Sequence, residues 1–491
     1  MAESLTAVQK LSNKYSKTYM QDFINILPLS IIASGIFISV LIEMYSKYSE
    51  EILPWFSIIM LISSAVSSIA LINNTQVIYN GTLATGGNVY IFYFMFTMGA
   101  ALTVFSSIDY IKKYGSYFGE YYILLLSSVL GMMLMAGAKD IFTIFMGLEL
   151  MSVCFYVLAG INRKKSGANE ASLKYFLLGA FATGIIVYGI ALIFGTAQTT
   201  SIEIIVANFG VLSHNILFIA GMLLFIIGFS FKIAAFPFHM WAPDVYQGAS
   251  TAVAGLMSTG GKAAAFSVLI IILSAVFPGN NVNVFRPYFA VIAALSMIYG
   301  SIVAISQTNI KRMLAYSSIA HAGYMCIGLA AGNYESVAGI IFYLAAYTFM
   351  NVGVFAVVAM IEGENDTNLE LSGYIGLSRK NPKLAALMAL FMFSLSGLPP
   401  FAGFFGKYYI FISAVEANLT WLAIVGIASS VISVYFYLRV IVLMYFSEPE
   451  TEPAVVGGGY GVFSAVIAAL LILVLGVFPG SLLSLITAYL K

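Results

Sequence analysis

Apolar runs of about twenty residues follow one another along almost the whole chain, each long enough to cross a ~30 Å hydrocarbon core as a helix. About fourteen meet that length. They lie near 22–44, 53–72, 89–110, 119–138, 140–161, 170–195, 213–237, 251–277, 287–307, 312–331, 336–362, 383–415, 420–446 and 459–488. A backbone in lipid must satisfy its own hydrogen bonds, and runs of this length do so as helices. The expected fold is an all-α polytopic membrane protein. Composition agrees, with 61% hydrophobic and only 9% charged residues, against about 25% charged in a soluble domain. A net charge of +1 leaves no electrostatic footprint for nucleic acid. Cys154 and Cys326 each stand alone in an apolar segment, so neither metal nor redox spacing is present. No metal-binding, cofactor-binding or catalytic motif is legible.

Residues 1–21 are polar and lack the layout of a cleaved signal. They are expected to form a retained tail, an amphipathic surface helix with Val8, Leu11, Tyr15 and Tyr19 on one face. The shorter runs 201–212 and 367–378, interrupted by Glu203 and by Glu370 and Gly373, read as re-entrant or interfacial pieces. Loops after the odd-numbered spans hold Lys47, Lys112, Lys113, Arg163, Lys164, Lys165, Lys311, Arg312, Arg379, Lys380 and Lys383. The other side holds Lys139, Arg286, Lys491 and the tail lysines Lys10, Lys14 and Lys17. The positive-inside rule puts the first set in the cytoplasm and both termini on the outer side.

Two spans are internally broken. The seventh ends in "AAFPFHMWAPD" around Pro237, and the twelfth carries "SGLPPFAGFFGKYY" with Pro399 and Pro400. An odd separation of five spans makes corresponding segments run in opposite directions. This is the pattern of inverted repeats with the transport site at the interruptions. The expected organisation is a tail (1–21), three flanking spans (22–111), two inverted five-helix repeats (119–277 and 287–446) and a last span (457–491).

Four ionisable residues lie deep in apolar runs: Glu149, Lys232, Lys262 and Lys407. Each costs about 2.5–3.5 kcal/mol at mid-bilayer and by default marks a pathway. One carboxylate against three lysines leaves an excess of bases, relieved when some are neutral part of the time, as a proton relay requires. Pro237 removes the donor for the Ile233 carbonyl, and Pro399 and Pro400 free carbonyls near Leu395 and Ser396. The "STGGK" context of Lys262 is expected to leave room for water. His321 and His239 are candidates for the relay or for hydrogen-bonded packing, with His239 able to bind the freed backbone. Asp244, after Pro243, reads as a turn or capping residue, and Arg163, Lys164 and Lys165 as a solvated loop.

"FKIAAFPFHMWAPDVYQGAST", "LMSTGGKAAAF", "GLELMSVCFYVLAG", "NIKRMLAYSSIAHAGY" and "SLSGLPPFAGFFGK" together resemble the antiporter-like membrane subunits of respiratory complex I, the proton-translocating NADH–quinone oxidoreductase. The likeness runs from about residue 115 to 446 and is to the subunit N branch, through "KYFLLGAFATGIIVYGIALIFG". The resemblance implies proton translocation through Glu149, Lys232, Lys262 and Lys407, coupled to electron transfer elsewhere. It implies no cofactor on this chain, with flavin, Fe–S clusters and quinone in partner subunits. The implied partners are the antiporter-like M and L subunits, small K-, J- and A-like subunits, and lipid. The implied location is a bacterial inner membrane. The alternative is a subunit of a multisubunit Na⁺/H⁺ antiporter, whose chains share the broken spans and lysines.

Overall fold

Five of the long helices begin on an Asn or Asp whose side chain accepts hydrogen bonds from the first-turn amides: Asp140, Asn215, Asn309, Asn333 and Asn381. These caps satisfy amides that lipid cannot. The computed structural model describes residues 21–114, 118–276, 284–363, 367–448 and 458–490. The expected tail helix with Val8, Leu11, Tyr15 and Tyr19 lies outside them.

The helices are α1 (Leu27–Tyr45), α2 (Ser49–Ala70), α3 (Gly87–Tyr114), α4 (Glu120–Gly137), α5 (Ile141–Ala159) and α6 (Ser166–Ala197). Then come α7 (Ile216–Lys232), α8 (Trp241–Gly248), α9 (Thr251–Leu256) and, after a π-turn at Met257–Gly261, α10 (Lys262–Val276). The rest are α11 (Arg286–Ile305), α12 (Ile310–Ala331), α13 (Tyr334–Ile361), α14 (Pro382–Ser396), α15 (Ala402–Glu416), α16 (Thr420–Phe446), α17 (Gly459–Val477) and α18 (Pro479–Ala488). Among the described residues, twelve helices are long and apolar enough to span a bilayer, counting α9 to α10 as one. The chain is thus an all-α polytopic membrane protein.

Of the expected spans, the seventh ends early, and the twelfth and the last are each two helices. The seventh stops at Lys232, five residues before Pro237, because Ala234 takes a left-handed φ of 56° and the Ala235 amide turns back to the Ser230 carbonyl. The twelfth stops at Ser396, before Pro399 and Pro400, and resumes at Ala402. Gly397, at φ 85°, turns the chain there. The last expected span divides at Pro479, which starts α18 at a position where a missing N–H costs nothing.

A helix apolar on all sides belongs in the interior. The apolar window of α13 is 100% buried, whereas those of α1 and α6 are only 22% and 28% buried, so α13 is the central post and α1 and α6 face outward. Helices cross closely where glycine permits it. A Cβ on Gly131 of α4 would stand 2.6 Å from the Gly147 carbonyl oxygen of α5. A Cβ on Gly300 of α11 would stand 2.7 Å from the Ala320 nitrogen of α12. Close backbone approach through small residues is how membrane helices gain packing energy.

The two short runs pair with helix starts. The Ile141 amide bonds the Thr200 carbonyl (2.9 Å), and the Ile310 amide bonds the Leu369 carbonyl (2.8 Å). Single β-bridges join Asp140 to Ser201 and Asn309 to Glu370. A hairpin of β1 (Gln76–Ile78) and β2 (Leu83–Thr85), absent from the sequence expectation, turns through Tyr79, Asn80 and Gly81 at positive φ. The "YNGT" run carries the Asn-Gly turn signal.

Candidate functional site

Lys232 is the last residue of α7, and its buried amine donates to Ser152 Oγ (2.8 Å) and Tyr156 Oη (3.2 Å) of α5. Glu149 stands one turn before Ser152 on the same helix face, half-buried, and accepts from Thr183 Oγ1 of α6 (2.9 Å). Among the described residues no ion pair joins Glu149 to Lys232. Ser152 and Tyr156 supply the hydroxyls around the amine.

At the second break, Lys407 of α15 reaches back to the carbonyls that α14 leaves open. Its amine donates to Leu395 O (3.3 Å), Ser396 O (2.9 Å) and Ser430 Oγ (2.9 Å), and lies 5.0 Å from the Tyr324 ring centre. Those carbonyls are the ones that the two prolines were expected to free. Gly397 makes room: a Cβ there would meet the Lys407 amine at 3.0 Å. At the first break the Phe231 carbonyl, already bonded by the Ala234 amide (3.0 Å), takes a second donor, and a backbone amide takes a side-chain acceptor. Trp241 Nε1 donates to Phe231 O (2.9 Å) and the Phe236 amide donates to Ser296 Oγ (2.9 Å).

Lys262 follows the π-turn, and its amine donates to the Ser318 carbonyl (2.7 Å) and bonds the Ser318 hydroxyl. The expectation of water space around "STGGK" is corrected. The Met132 sulfur would stand 2.8 Å from a Cβ on Gly260, and the Phe155 ring 2.8 Å from one on Gly261. The glycines admit side chains of α4 and α5.

His321 of α12 uses both ring nitrogens, Nδ1 with Tyr343 Oη (2.6 Å) and Nε2 with Tyr437 Oη (3.0 Å). Its ring packs at 5.7 Å on Tyr324. Ser318, His321 and Tyr324 follow at three-residue spacing, so one face of α12 connects Lys262 with Lys407. His239 does not bind the freed backbone. It stacks on Phe236 (5.3 Å) and lies 4.7 Å from the Tyr299 ring, and its Nδ1 has no hydrogen-bond partner among the described residues.

The three amines thus sit among hydroxyls and carbonyls, with no carboxylate in ion-pair range among the described residues. Such an amine can give up and regain a proton without breaking an ion pair, and the neighbouring hydroxyls can pass it on.

The family "NADH:quinone oxidoreductase/Mrp antiporter, TM" matches residues 138–433. A NADH-quinone oxidoreductase subunit N from Trichlorobacter lovleyi is 46% identical over 407 residues, covering 82% of this chain and 83% of that protein. A subunit N 1 from Chloroherpeton thalassium is 40% identical over 465 residues, covering 94% and 97%. The chain belongs to the NADH-quinone oxidoreductase subunit N family. A chain of Thermus thermophilus respiratory complex I superposes with a TM-score of 0.81 at 32% identity, covering 94% of this chain and 99% of that one. A chain of the Mrp complex from Dietzia sp. superposes with a TM-score of 0.85, but at 20% identity it shares the fold alone.

In this subunit N family member the family match encloses Glu149, Lys232, Lys262 and Lys407. Other charges were misjudged from sequence. Asp244 is neither a cap nor a simple turn residue: it bonds Lys174 of α6 and Arg312 of α12, each at 2.7 Å. Lys165 does not belong to a purely solvated loop, since it lies 3.8 Å from Glu362, which is fully buried. Lys311 is buried and donates to Ala249 O (2.9 Å). Glu362 went unnoticed because it is the last residue of the 336–362 run, where an acid reads as the turn into a loop. Asp244→Ala should cost the fold only about 1 kcal/mol, because the triad is partly solvated. A thermal unfolding shift of a few degrees in detergent would agree, and loss of folding would refute the assignment.

Proposed function

We infer that this chain carries protons across the membrane as a subunit of an NADH–quinone oxidoreductase. The observation that carries the reading is the array of three buried amines, each held by hydroxyls or carbonyls, with α12 connecting Lys262 to Lys407. Membership in the subunit N family supports electron transfer in partner subunits as the driving reaction. Glu149, Lys232, Lys262 and Lys407 are proposed as the residues that hold protons in turn, with His321 between Lys262 and Lys407. His239, stacked beside the first break, is the weaker relay candidate.

Each transfer moves a proton from an ammonium or hydroxyl to a neutral amine, and the donor is refilled from the preceding group. A negative charge approaching Lys232 favours its ammonium form, and withdrawal of that charge favours release. Glu149, one turn from Ser152, is positioned for that role.

Electron transfer is assigned to partner subunits, which would hold the flavin, Fe–S clusters and quinone. This chain would have no catalytic site of its own. The proposed neighbours are the antiporter-like M and L subunits and the small K-, J- and A-like subunits. The bacterial sources of the named relatives favour a bacterial inner membrane, and the loop lysines and arginines favour termini on the periplasmic side. Two inverted five-helix repeats are supported by the paired breaks, by the glycine crossings of α4–α5 and α11–α12, and by the matching bridges Asp140–Ser201 and Asn309–Glu370.

The test is purification of the complex that contains this chain, reconstituted in vesicles with a pH-sensitive dye. NADH oxidation by quinone should drive proton movement in sodium-free buffer. A complex without flavin or Fe–S clusters that exchanges Na⁺ for H⁺ would establish the antiporter alternative instead. Within that assay Glu149→Gln should lower pumping by about tenfold while the complex assembles. Unchanged pumping would remove Glu149 from the path.

A further inference from the structure

Glu362 is a fully buried carboxylate that the relay above does not use. It sits at the C-terminal end of α13, where the helix dipole disfavours a negative charge. Three other elements meet it, and a fourth lies near. Thr251, which begins α9, bonds one oxygen, Tyr110 of α3 bonds the other (3.1 Å), Lys165 stands 3.8 Å away, and Tyr374 of the 367–378 segment is a neighbour. Tyr110, Lys165 and Ser250 also line a cavity at this end of the bundle, together with Tyr121 and Asn162.

From this point a line of unsatisfied polar groups runs inward. Among the described residues ten buried side-chain polar atoms lack a hydrogen-bond partner, and five of them belong to Tyr374, Ser250, Tyr246, Asn351 and Tyr347. Tyr374 and Ser250 lie by Glu362 and Thr251. Tyr246 packs on Phe355 of α13 (6.4 Å between ring centres), one turn from Asn351. Tyr347, one turn further, lies 5.0 Å from the His321 ring. Tyr246 and Tyr347 are both neighbours of Ser318, the residue that holds Lys262. Buried polar groups are paired with protein or with ordered water. Concentration of the unpaired ones beside one face of α13 therefore leaves a line for water to pair, from Glu362 to Ser318. Thr251 begins the segment that carries Lys262, about 15 Å along it.

We propose that Glu362 is a proton-loading residue that takes protons from the Lys165 cavity and delivers them along Ser250, Tyr246 and Tyr347 to Lys262. The inference rests on the translocation reading. The Glu362 carboxylic acid releases a proton to the line of hydroxyls and water, which Asn351 orients, and the neutral Lys262 amine takes one at the far end. The carboxylate left behind is stabilised by Lys165, Tyr110 and Thr251 until water in the cavity reprotonates it.

The test uses the whole reconstituted complex, with proton pumping normalised to assembled flavin. Glu362→Gln should lower pumping by about tenfold, less than a full general-acid loss because water carries part of the flux. Glu362→Asp should restore at least half of it, which loss of a mere strut between helix ends would not predict for a shortened side chain. Tyr347→Phe and Asn351→Val, which leave the Glu362 contacts intact, should each lower it severalfold. Full pumping in assembled Glu362→Gln overturns the proposal, as does a loss that Glu362→Asp shares in full. If Glu362→Gln does not assemble, full pumping in both Tyr347→Phe and Asn351→Val overturns it. Lys262→Ala measured in parallel separates the two readings. If it alone stops pumping, the loading role fails and translocation stands; if it too pumps normally, the translocation reading fails.

Discussion

Lys232→Ala is expected to lower proton pumping by about tenfold or more while the complex still assembles. Alanine removes the amine that donates to Ser152 and Tyr156. It leaves α7 ending on the same turn, because Ala234 and the Ser230 carbonyl shape that end without help from the lysine. The fold should therefore tolerate the loss, and removal of a charge from an apolar interior offsets part of the lost packing. Pumping per assembled complex, with NADH oxidation measured alongside, decides the matter. Parent-level pumping in an assembled Lys232→Ala complex would sink the relay described for this half of the chain.

Gly403→Val should have the opposite profile and prevent assembly. A Cβ at Gly403 would stand 1.9 Å from the Ser394 carbonyl oxygen, a backbone atom of α14 with no freedom to rotate away. The two half-helices of the second break would have to separate, carrying the Leu395 and Ser396 carbonyls away from Lys407. Overpacking of this kind costs about 3 kcal/mol or more, enough to remove a large part of a typical net stability. The amount of this chain in the assembled complex, read on a native gel, should fall to a small residue. Normal assembly and an unchanged Tm would show that α14 and α15 can shift relative to each other.

The long helices and the open carbonyls of Leu395 and Ser396 were legible because both follow from local chemistry, whereas their pairing with Lys407 was not. A run of twenty apolar residues has one solution in lipid, and a proline always withholds the same hydrogen bond. The first break was displaced from its proline because the turn is made by Ala234 at positive φ, a conformation alanine does not advertise. Gly260 and Gly261 were misread for a related reason. A glycine pair signals absent side chains but not what fills the space, and Met132 and Phe155 come from elsewhere in the chain. The Asp244 triad and Glu362 were illegible because their partners are remote. Lys174 and Arg312 flank Asp244 from α6 and α12, and Thr251, Tyr110 and Lys165 reach Glu362 from three further segments.

The glycine crossing of α11 and α12 has a mechanical side. Gly300 meets the backbone of Tyr316 and Ala320, and Gly323 meets Ala293 and Met297, so two teeth mesh on each side of one seam. A gear meshed this tightly transmits rotation instead of slipping. Ser318, His321 and Tyr324 share one edge of α12, and a twist of one residue step, about 100°, would swing all three off Lys262 and Lys407 together. The seam resists that twist, because Tyr316 and Ala320 lie against Gly300. A twist of α12 that drew these residues off the lysines would press on α11, which makes the seam the stiff side of the path between them.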